Sequence, residues 1–575
     1  MFLALLLFFF VVCLYLYLDA QKPKNFPPGP AWWPVLGSLP EVLRMRRKFG
    51  SLSMAATFLA KTHCDGKLVG LRIGNDVQVV LNCAEAMKEM ATKPELGGRP
   101  EGPFYRYRTW NLRRGIILTD GDFWREQRRF LVHHLKNFGL GKSSQMQSII
   151  MREVHAMTSY FKMAINSKVD GKANLPLHDA FGVPTLNTIW TMLAGSRYEH
   201  DDVESRKLQT ILADMFASMD MTGCLFNHFP VLRYVMPEAS GYNMYMACHK
   251  KFWAFLHEEI LRHEASYVEG SPRDFMDVYI KEIKSRVDQN SYYSELQLMA
   301  ICMDLFLAGS DTTSKSLSFA FLHFLRQPHV VKKIQNEIDR VVGKGKSVTL
   351  EHKPNMPYTA AAVDEALRVF VGQVIGVPHR AMADSTLLGY FIPKDTILVG
   401  NFNGWFMNEE FYEDPWTFNP ERFLNEKNEV IVPEHFIPFG VAMEDIAPSI
   451  DELLDSGKEE TQFCTEANDA DIIKDDVDES ALLAIPESYR SNSEKEEQVL
   501  IDAEKFLSQI ESKFPQRKKP AMVVYNECGV KKLLCTFIRR TALAYPELST
   551  WQGIANFVSD HGAFQPMPEP TKQEH

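Results

Sequence analysis

Residues 296–325 are apolar on nearly every face of a helix. A helix with apolar residues all round lies in the core of a large domain or crosses a membrane. Asp304, Asp311 and Lys315 oppose a membrane position, because charged groups are costly inside a bilayer. Pro328 prevents the helix from continuing. The chain is therefore predicted to fold around one long buried helix.

A short polar stretch, residues 309–313 (GSDTT), interrupts this helix. Glycine weakens a helix interior, and a threonine there can donate its hydroxyl to the carbonyl four residues earlier. For Thr312 that carbonyl belongs to Ala308. The stretch predicts a local distortion, which is either a cap or kink of the core or a groove that serves a functional group.

The body of the chain, residues 37–441, shows frequent helical periodicity and only a few strand-like runs. The strand-like runs lie within residues 68–82, near residues 386–391 and at residues 396–398. Many helices with few short strands predict a mainly α fold with small β-sheets in one large domain.

Residues 2–18 carry no charge, and Asp19, Lys22 and Lys24 follow them. Such a run is at the lower limit of length for a helix that crosses a bilayer. We therefore expect residues 1–18 to be an N-terminal signal-anchor helix, with the body on the cytosolic side because the lysines follow it. A cleaved signal peptide is the alternative, but no positive residue precedes the apolar run. Residues 19–36 are predicted to be a proline-rich linker.

The negative charge of the chain is concentrated in one segment. Residues 441–500 hold 18 Asp and Glu against 4 Lys and Arg, a net charge of −14, so the rest sums to +4 within the total of −10. The nine cysteines are odd in number and irregular in spacing. This pattern is typical of free thiols in a reducing compartment and lacks the spacing of zinc ligands.

Four motifs occur in a fixed order along the body. They are residues 308–313 (AGSDTT), residues 365–368 (EALR), residues 420–423 (PERF) and residues 436–440 (FIPFG). In this order and spacing they resemble the cytochrome P450 family, the haem-thiolate monooxygenases. The resemblance covers roughly residues 1–441 and is nearest to insect microsomal members.

The resemblance implies a haem b cofactor and insertion of one oxygen atom from O2 into a small lipophilic substrate, such as a steroid, a terpenoid or a fatty-acid-like molecule. Electrons would come from NADPH through NADPH–cytochrome P450 reductase. It also implies a location at the endoplasmic reticulum membrane with a cytosolic-facing body, and no nucleic-acid partner. Substrate contacts are expected near residues 104–118 and 374–377 and at Phe216 and Phe306.

The resemblance also assigns roles to single residues. Thr312 would orient dioxygen and Asp311 would help to deliver protons, with Ala308 beside the haem. Trp124 and Arg128 share one helix face, and the indole N–H and the guanidinium are both donors suited to a haem propionate.

His379 would also reach a propionate. A solvated basic surface is the alternative for Arg128, and an ordinary surface or core histidine is the alternative for His379. Glu365 and Arg368 would form a buried network with Arg422. On its own the first pair would be a solvated ion pair of little energetic value.

The sequence leaves the family's pattern where the iron ligand is expected. The family has F-x-x-G-x-x-x-C-x-G, and counting from Phe439 places Ala442 at the first glycine, Ile446 at the cysteine and Pro448 at the last glycine. Ile446 has no atom that can ligate iron, so no metal ligand is predicted. Cys464 lies 18 residues further on, within the acidic segment.

Residues 442–493 are predicted to be an acidic disordered linker because of their low apolar content and high charge. Residues 494–575 are predicted to be a small α/β extension that resembles no known family. The alternatives to a working monooxygenase are a catalytically dead or mis-joined chain that acts as a membrane-tethered binding protein, and a chain whose functional unit is the C-terminal extension. A fused reading frame or an unusual splice form would each explain the break.

Overall fold

The structure is a computed structural model that describes residues 2–141, 144–167, 173, 175, 180–200, 202–218, 224–286 and 292–441. The chain divides into two compact units, Met1–Gly457 and Lys458–His575, and the second lies outside the described residues. The predicted acidic linker, residues 442–493, and the predicted extension, residues 494–575, also lie outside them.

Helices dominate the described residues, as predicted. The α-helices, in chain order, are α1 Phe2–Asp19, α2 Leu39–Phe49, α3 Leu52–His63, α4 Ala84–Ala91, α5 Pro103–Tyr107, α6 Gly121–Asn137, α7 Ser144–Asn166, α8 Gly182–Ala194, α9 Val203–Ser218, α10 Leu225–His228, α11 Leu232–Val235, α12 Tyr242–Ser266, α13 Phe275–Ser285, α14 Glu295–Phe306, α15 Thr312–Arg326, α16 Pro328–Val341, α17 Pro357–Val371 and α18 Asn403–Phe406. A π-helical turn, Leu307–Asp311, joins α14 to α15. Short 3₁₀ turns lie at Pro94–Leu96, Leu350–Asn355 and Pro420–Phe423.

The strands form two small sheets. The six strands are β1 Leu68–Ile73, β2 Asp76–Leu81, β3 His379–Arg380, β4 Ser385–Leu387, β5 Tyr390–Ile392 and β6 Ile397–Gly400. The larger sheet has the order β1-β2-β6-β3, in which β2 and β6 are parallel and the two outer pairs are antiparallel. β4 and β5 form a separate hairpin. A mainly α fold with small mixed sheets is therefore confirmed.

The predicted long helix lies in the helical core, but it consists of α14, the π turn and α15 instead of one continuous helix. Phe306 at the end of α14 is fully buried, with its ring 4.7 Å from that of Trp190 and 5.5 Å from that of Phe252. Its expected role as a substrate contact is therefore wrong, because its ring is enclosed by core aromatics. The side chain of Phe216, the other single position expected, lies outside the described residues.

The helix predicted at the N-terminus is present as α1. Across the described residues, however, no helix combines the length and the apolar character needed to cross a membrane. The signal-anchor role of residues 1–18 stays a prediction.

Candidate active site

The π-helical turn lies where the polar stretch interrupts the predicted helix. Thr312 Oγ1 donates a hydrogen bond to the Ala308 carbonyl at 2.5 Å, which confirms the bond expected from the sequence. Ala308 and Thr312 are both exposed on the same side of the turn. The distorted turn thus presents a threonine hydroxyl and a widened backbone to the space beside the helix.

α8 supports the opposite side of this turn. A Cβ atom on Gly309 would lie 2.7 Å from Ile189 Cγ1, so glycine is required for the two helices to approach. Thr185 Oγ1, also on α8, donates to the Ser310 carbonyl at 3.2 Å. Such local support is what keeps a π turn stable inside a helix, since its backbone groups do not all find partners within it.

Asp311 lies at the end of the π turn. Its carboxylate pairs with Lys315 at 2.5 Å, one helical turn further on, and its side chain is partly exposed. The predicted acid is therefore close to Thr312 in sequence and carries a cationic partner.

A buried carboxylate fixes the loop that precedes α6. Asp304 on α14 accepts the backbone N–H groups of Ile116 and Ile117 at 2.6 and 2.9 Å and pairs with Arg108. Gly115 adopts φ +89°, and a Cβ atom there would lie 2.2 Å from Asp304 Oδ2. We refer to Asp304 with these contacts as the Asp304 clamp. The sequence carried a signal for this contact, since a charged group in a buried helix needs a partner.

Trp124 and Arg128 are on α6 as predicted, and the indole N–H of Trp124 already has an acceptor in the protein. Trp124 Nε1 donates to the Ile116 carbonyl at 3.0 Å, and the Arg128 guanidinium lies 5.4 Å from the centre of the Trp124 ring. In this structure the loop held by the Asp304 clamp accepts the indole N–H, and the propionate contact of Trp124 stays a prediction. Trp124 positions the loop and the Arg128 side chain.

His379 begins β3 and lies beside Arg99, a residue that the sequence analysis did not single out. Arg99 Nη1 is 3.4 Å from His379 Nε2, and His379 Nδ1 is buried without a hydrogen bond to any described residue. Burial lowers the pKa of His379, and the positive charge of Arg99 lowers it further, to about 3. The imidazole is therefore neutral near pH 7 and offers a buried polar atom without a partner.

The predicted buried network between the second and third motifs is present. Arg368 forms two bonds with Glu365, at 2.7 and 2.8 Å, and both side chains are fully buried. Arg422 Nε donates to Glu365 Oε1 at 3.1 Å. Arg368 also donates to the carbonyls of Phe406 and Pro415. This lock ties α17 to the segment that follows α18.

An apolar cavity of about 410 Å³ lies against one face of the larger sheet. α3, β2, β6 and the chain after α17 all contribute to its wall. The residues of its wall include Ala56, Gln78, Val80, Val374, Ile375 and Val399. Val374 and Ile375 fall within the 374–377 segment that was expected to contact a substrate.

Comparison with known proteins matches the chain to the cytochrome P450 family model over residues 27–441. A probable cytochrome P450 303a1 of Drosophila melanogaster is 39% identical over 74% of this chain and 85% of its own length. A farnesoate epoxidase of Bombyx mori is 30% identical over 76% of this chain and 87% of its own length. Human cytochrome P450 2J2 is 30% identical over 74% of this chain and 82% of its own length.

The chain belongs to the cytochrome P450 family. Family membership implies monooxygenase activity and a haem-thiolate cofactor. The buried donors on one side of the site suit the carboxylates of a porphyrin. His379 Nδ1 is a polar atom without a described partner, and Nε of Arg113 and of Arg114 are buried in the same state.

The family's iron ligand is expected beyond the described residues, which end at Val441. Ile446, at the expected cysteine, lies outside the described residues, and its side chain has no sulfur. Three of the described cysteines, Cys224, Cys248 and Cys302, are buried in the core. Burial raises the pKa of the Cys302 thiol and so disfavours its thiolate form. The described residues therefore suit the porphyrin edge, and position 446 offers no sulfur for a thiolate-bound iron.

Proposed function

We propose that this chain derives from a monooxygenase that oxidises a lipophilic molecule, and that residues 27–441 retain its substrate and proton-handling side. The observation that supports this proposal most is that one fold contains both the π turn with Thr312 and the buried network of Glu365, Arg368 and Arg422. Each motif alone is common, whereas the pair in a single helical core is not explained by packing alone.

In this proposal Thr312 and Asp311 handle protons beside the π turn. Thr312 uses its own hydrogen to bond the Ala308 carbonyl, so its oxygen remains available as an acceptor. Asp311, held by Lys315, supplies an acid–base group at the same turn. His379, Arg99 and Arg128 are assigned to the carboxylate edge of the cofactor.

The substrate class follows from the apolar lining of the cavity next to Val374 and Ile375. A pocket that is mostly apolar with a few polar groups is typical of small lipophilic ligands. We assign a terpenoid, steroid or fatty-acid-like molecule. The name of the Bombyx mori relative, a farnesoate epoxidase, favours the terpenoid among these.

A flavoprotein reductase that carries electrons from NADPH is the proposed partner, and the endoplasmic reticulum is the proposed location, with the body facing the cytosol. Family membership supports both. The apolar side chains of α1, such as Phe2 and Leu3, are exposed and support contact with a membrane surface.

The second candidate is a protein that binds the ligand without turning it over. Ile446 favours it, since the family's chemistry requires a sulfur at that position. A mis-joined message, in which the codons for residues 442–575 are fused to a P450 frame, belongs to the same candidate.

A reduced carbon-monoxide difference spectrum of the purified full chain separates the two candidates. A Soret band typical of thiolate ligation supports the monooxygenase, and absence of haem from protein with a normal far-UV circular dichroism spectrum supports the binding protein. Sequencing of single cDNA molecules across codons 435–450 is the companion test. One continuous message in every molecule counts against a mis-joined frame.

A further inference from the structure

Gln78 is the only fully polar side chain of β2 that faces the apolar cavity. Its residue is 5% exposed, and its carboxamide makes no hydrogen bond to any described residue. Its neighbours on the same face are apolar, since side chains two apart on a strand point the same way and Val80 follows. The cavity therefore contains an amide that belongs to a buried residue, has no bond to a described protein group and is accessible from the cavity.

A buried amide without a partner is unfavourable in an apolar environment. The position is not required by the sheet, whose backbone pairing runs through Gln78 regardless of its side chain, opposite Leu71 on β1 and Ile397 on β6. Leucine or valine would fill this face at lower cost. An amide retained there points to a ligand that completes it.

The same end of the cavity carries a second polar group. His228 also lines the cavity, and its Nδ1 lies 2.5 Å from Oδ2 of Asp76, the first residue of β2. Asp76 and Gln78 lie on one face of the strand, about 7 Å apart. The start of β2 is thus the polar end of the cavity.

The other end of the cavity lies at Val374 and Ile375. β2 and β6 are parallel, with Gln78 opposite Ile397, and Ile375 forms a bridge with Asn401 just beyond β6. Four residues along a strand span about 13 Å, so Ile375 lies about that far from the level of Gln78. Ile375 is also in the segment that connects α17 with His379.

We propose that the cavity binds an elongated lipophilic molecule with one oxygen function, such as a terpenoid alcohol, acid or ester, and that Gln78 recognises this oxygen. The hydrocarbon part of the ligand lies along Val80 and Val399 toward Val374 and Ile375. Gln78 is thus a specificity-determining residue that selects oxygenated lipids over hydrocarbons of the same size. This inference rests on the proposed function in one respect, that the occupant is the substrate.

The test is equilibrium dialysis of the full chain with two radiolabelled probes, farnesol and farnesene, which share a carbon skeleton and differ in the hydroxyl. The variant is Gln78→Leu. Gln335→Leu, on the exposed face of α16, is the matched control. Loss of one neutral hydrogen bond predicts that the Kd for farnesol rises about threefold to tenfold in Gln78→Leu. The Kd for farnesene should stay the same or fall, and the control should match the wild type for both probes.

Thermal melting without ligand gives a second readout. Since Gln78 has no partner among the described residues, Gln78→Leu should melt at the same temperature as the wild type or higher. A lower melting temperature would assign Gln78 a structural role and overturn the inference. An equal change for farnesol and farnesene, or no change for farnesol, would also overturn it. Failure of the wild type to bind either probe removes the cavity as a ligand site, whereas the carbon-monoxide spectrum reports on the monooxygenase proposal independently of both probes.

Discussion

Removal of Arg422 is the sharpest test of the buried lock. Its guanidinium donates to Glu365 Oε1 at 3.1 Å and to the carbonyls of Glu413, Asp414 and Thr417 at 3.0, 3.3 and 3.1 Å. The side chain is 10% exposed, and Glu365 is fully buried. Arg422→Ala therefore leaves a buried carboxylate with less positive charge around it.

The expected loss of stability follows from what Glu365 keeps. Removing one member of a buried charge network costs about 3–5 kcal/mol. Glu365 retains two bonds from Arg368 and one from the Asn419 N–H, so the lower value, about 3 kcal/mol, applies. Domains have only about 5–15 kcal/mol in total, so the yield of folded protein should fall sharply.

The assay is urea denaturation followed by far-UV circular dichroism, with Arg340→Ala as the matched control. Arg340 is exposed and lies 3.8 Å from Glu337, so its removal should cost at most about 1 kcal/mol. Arg368→Ala should be more damaging than Arg422→Ala, because it removes both bonds of the fully buried pair. The reasoning is refuted if Arg422→Ala unfolds at the same urea concentration as Arg340→Ala.

Three further predictions concern the site. Asp304→Asn should lower the free energy of unfolding by about 2–3 kcal/mol and speed hydrogen exchange at the amides of Ile116 and Ile117, because these amides lose their charged acceptor. The exposed control Asp339→Asn should leave both amides protected. Unchanged exchange in Asp304→Asn would contradict the clamp. Gly309→Ala should lower the free energy of unfolding by about 1–3 kcal/mol, because the new methyl group overlaps Ile189. In the background of Ile189→Ala most of this loss should disappear. Additive losses in the double variant would count against the contact. The pKa of His379, about 3, lies below that of an unfolded histidine, so the unfolded chain binds more protons between pH 6.5 and 3 and stability should fall as the pH drops through that window. In urea titrations at pH 7 and pH 5, His379→Gln should reduce the difference in unfolding free energy between the two pH values. The difference that remains is expected from His249, whose pKa burial also lowers to about 3. An unchanged difference would exclude His379 as a source.

The break in the family pattern separates two questions about this chain. The P450 model matches through residue 441, and the expected iron ligand lies five residues beyond that point. Binding of the substrate and catalysis can therefore be tested apart, because the cavity next to β2 and the π turn lie within residues 27–441. The Gln78 experiment addresses the first question and the carbon-monoxide spectrum addresses the second.

Sequence reasoning succeeded where the interaction depends on short spacing. The bond from Thr312 to Ala308 joins residues four apart, and the pair Glu365 and Arg368 joins residues three apart. Helix geometry alone brings such residues together. Arg422 was placed correctly only because the family resemblance linked its motif to theirs.

Reasoning from spacing failed where the partner lies far away in the chain. Ile116 and Asp304 are 188 residues apart, and nothing in the local pattern predicts that the Trp124 N–H is already bound by the same loop. The prediction that Phe306 contacts the substrate failed for a related reason. Its helix has one side in the core and another toward the site, and sequence periodicity does not distinguish the two.

By itself the sequence determined the family, the mainly helical architecture, a distortion at the polar stretch of residues 309–313 and the lack of a sulfur at position 446, because these depend on residue identity and on short-range geometry. Only the tertiary structure decided which donors remain open to a ligand and which are bound by protein. It also placed Gln78 in a mostly apolar cavity, whose wall comes from helices, strands and loops that are distant in the chain and meet only when the sheet and helices pack.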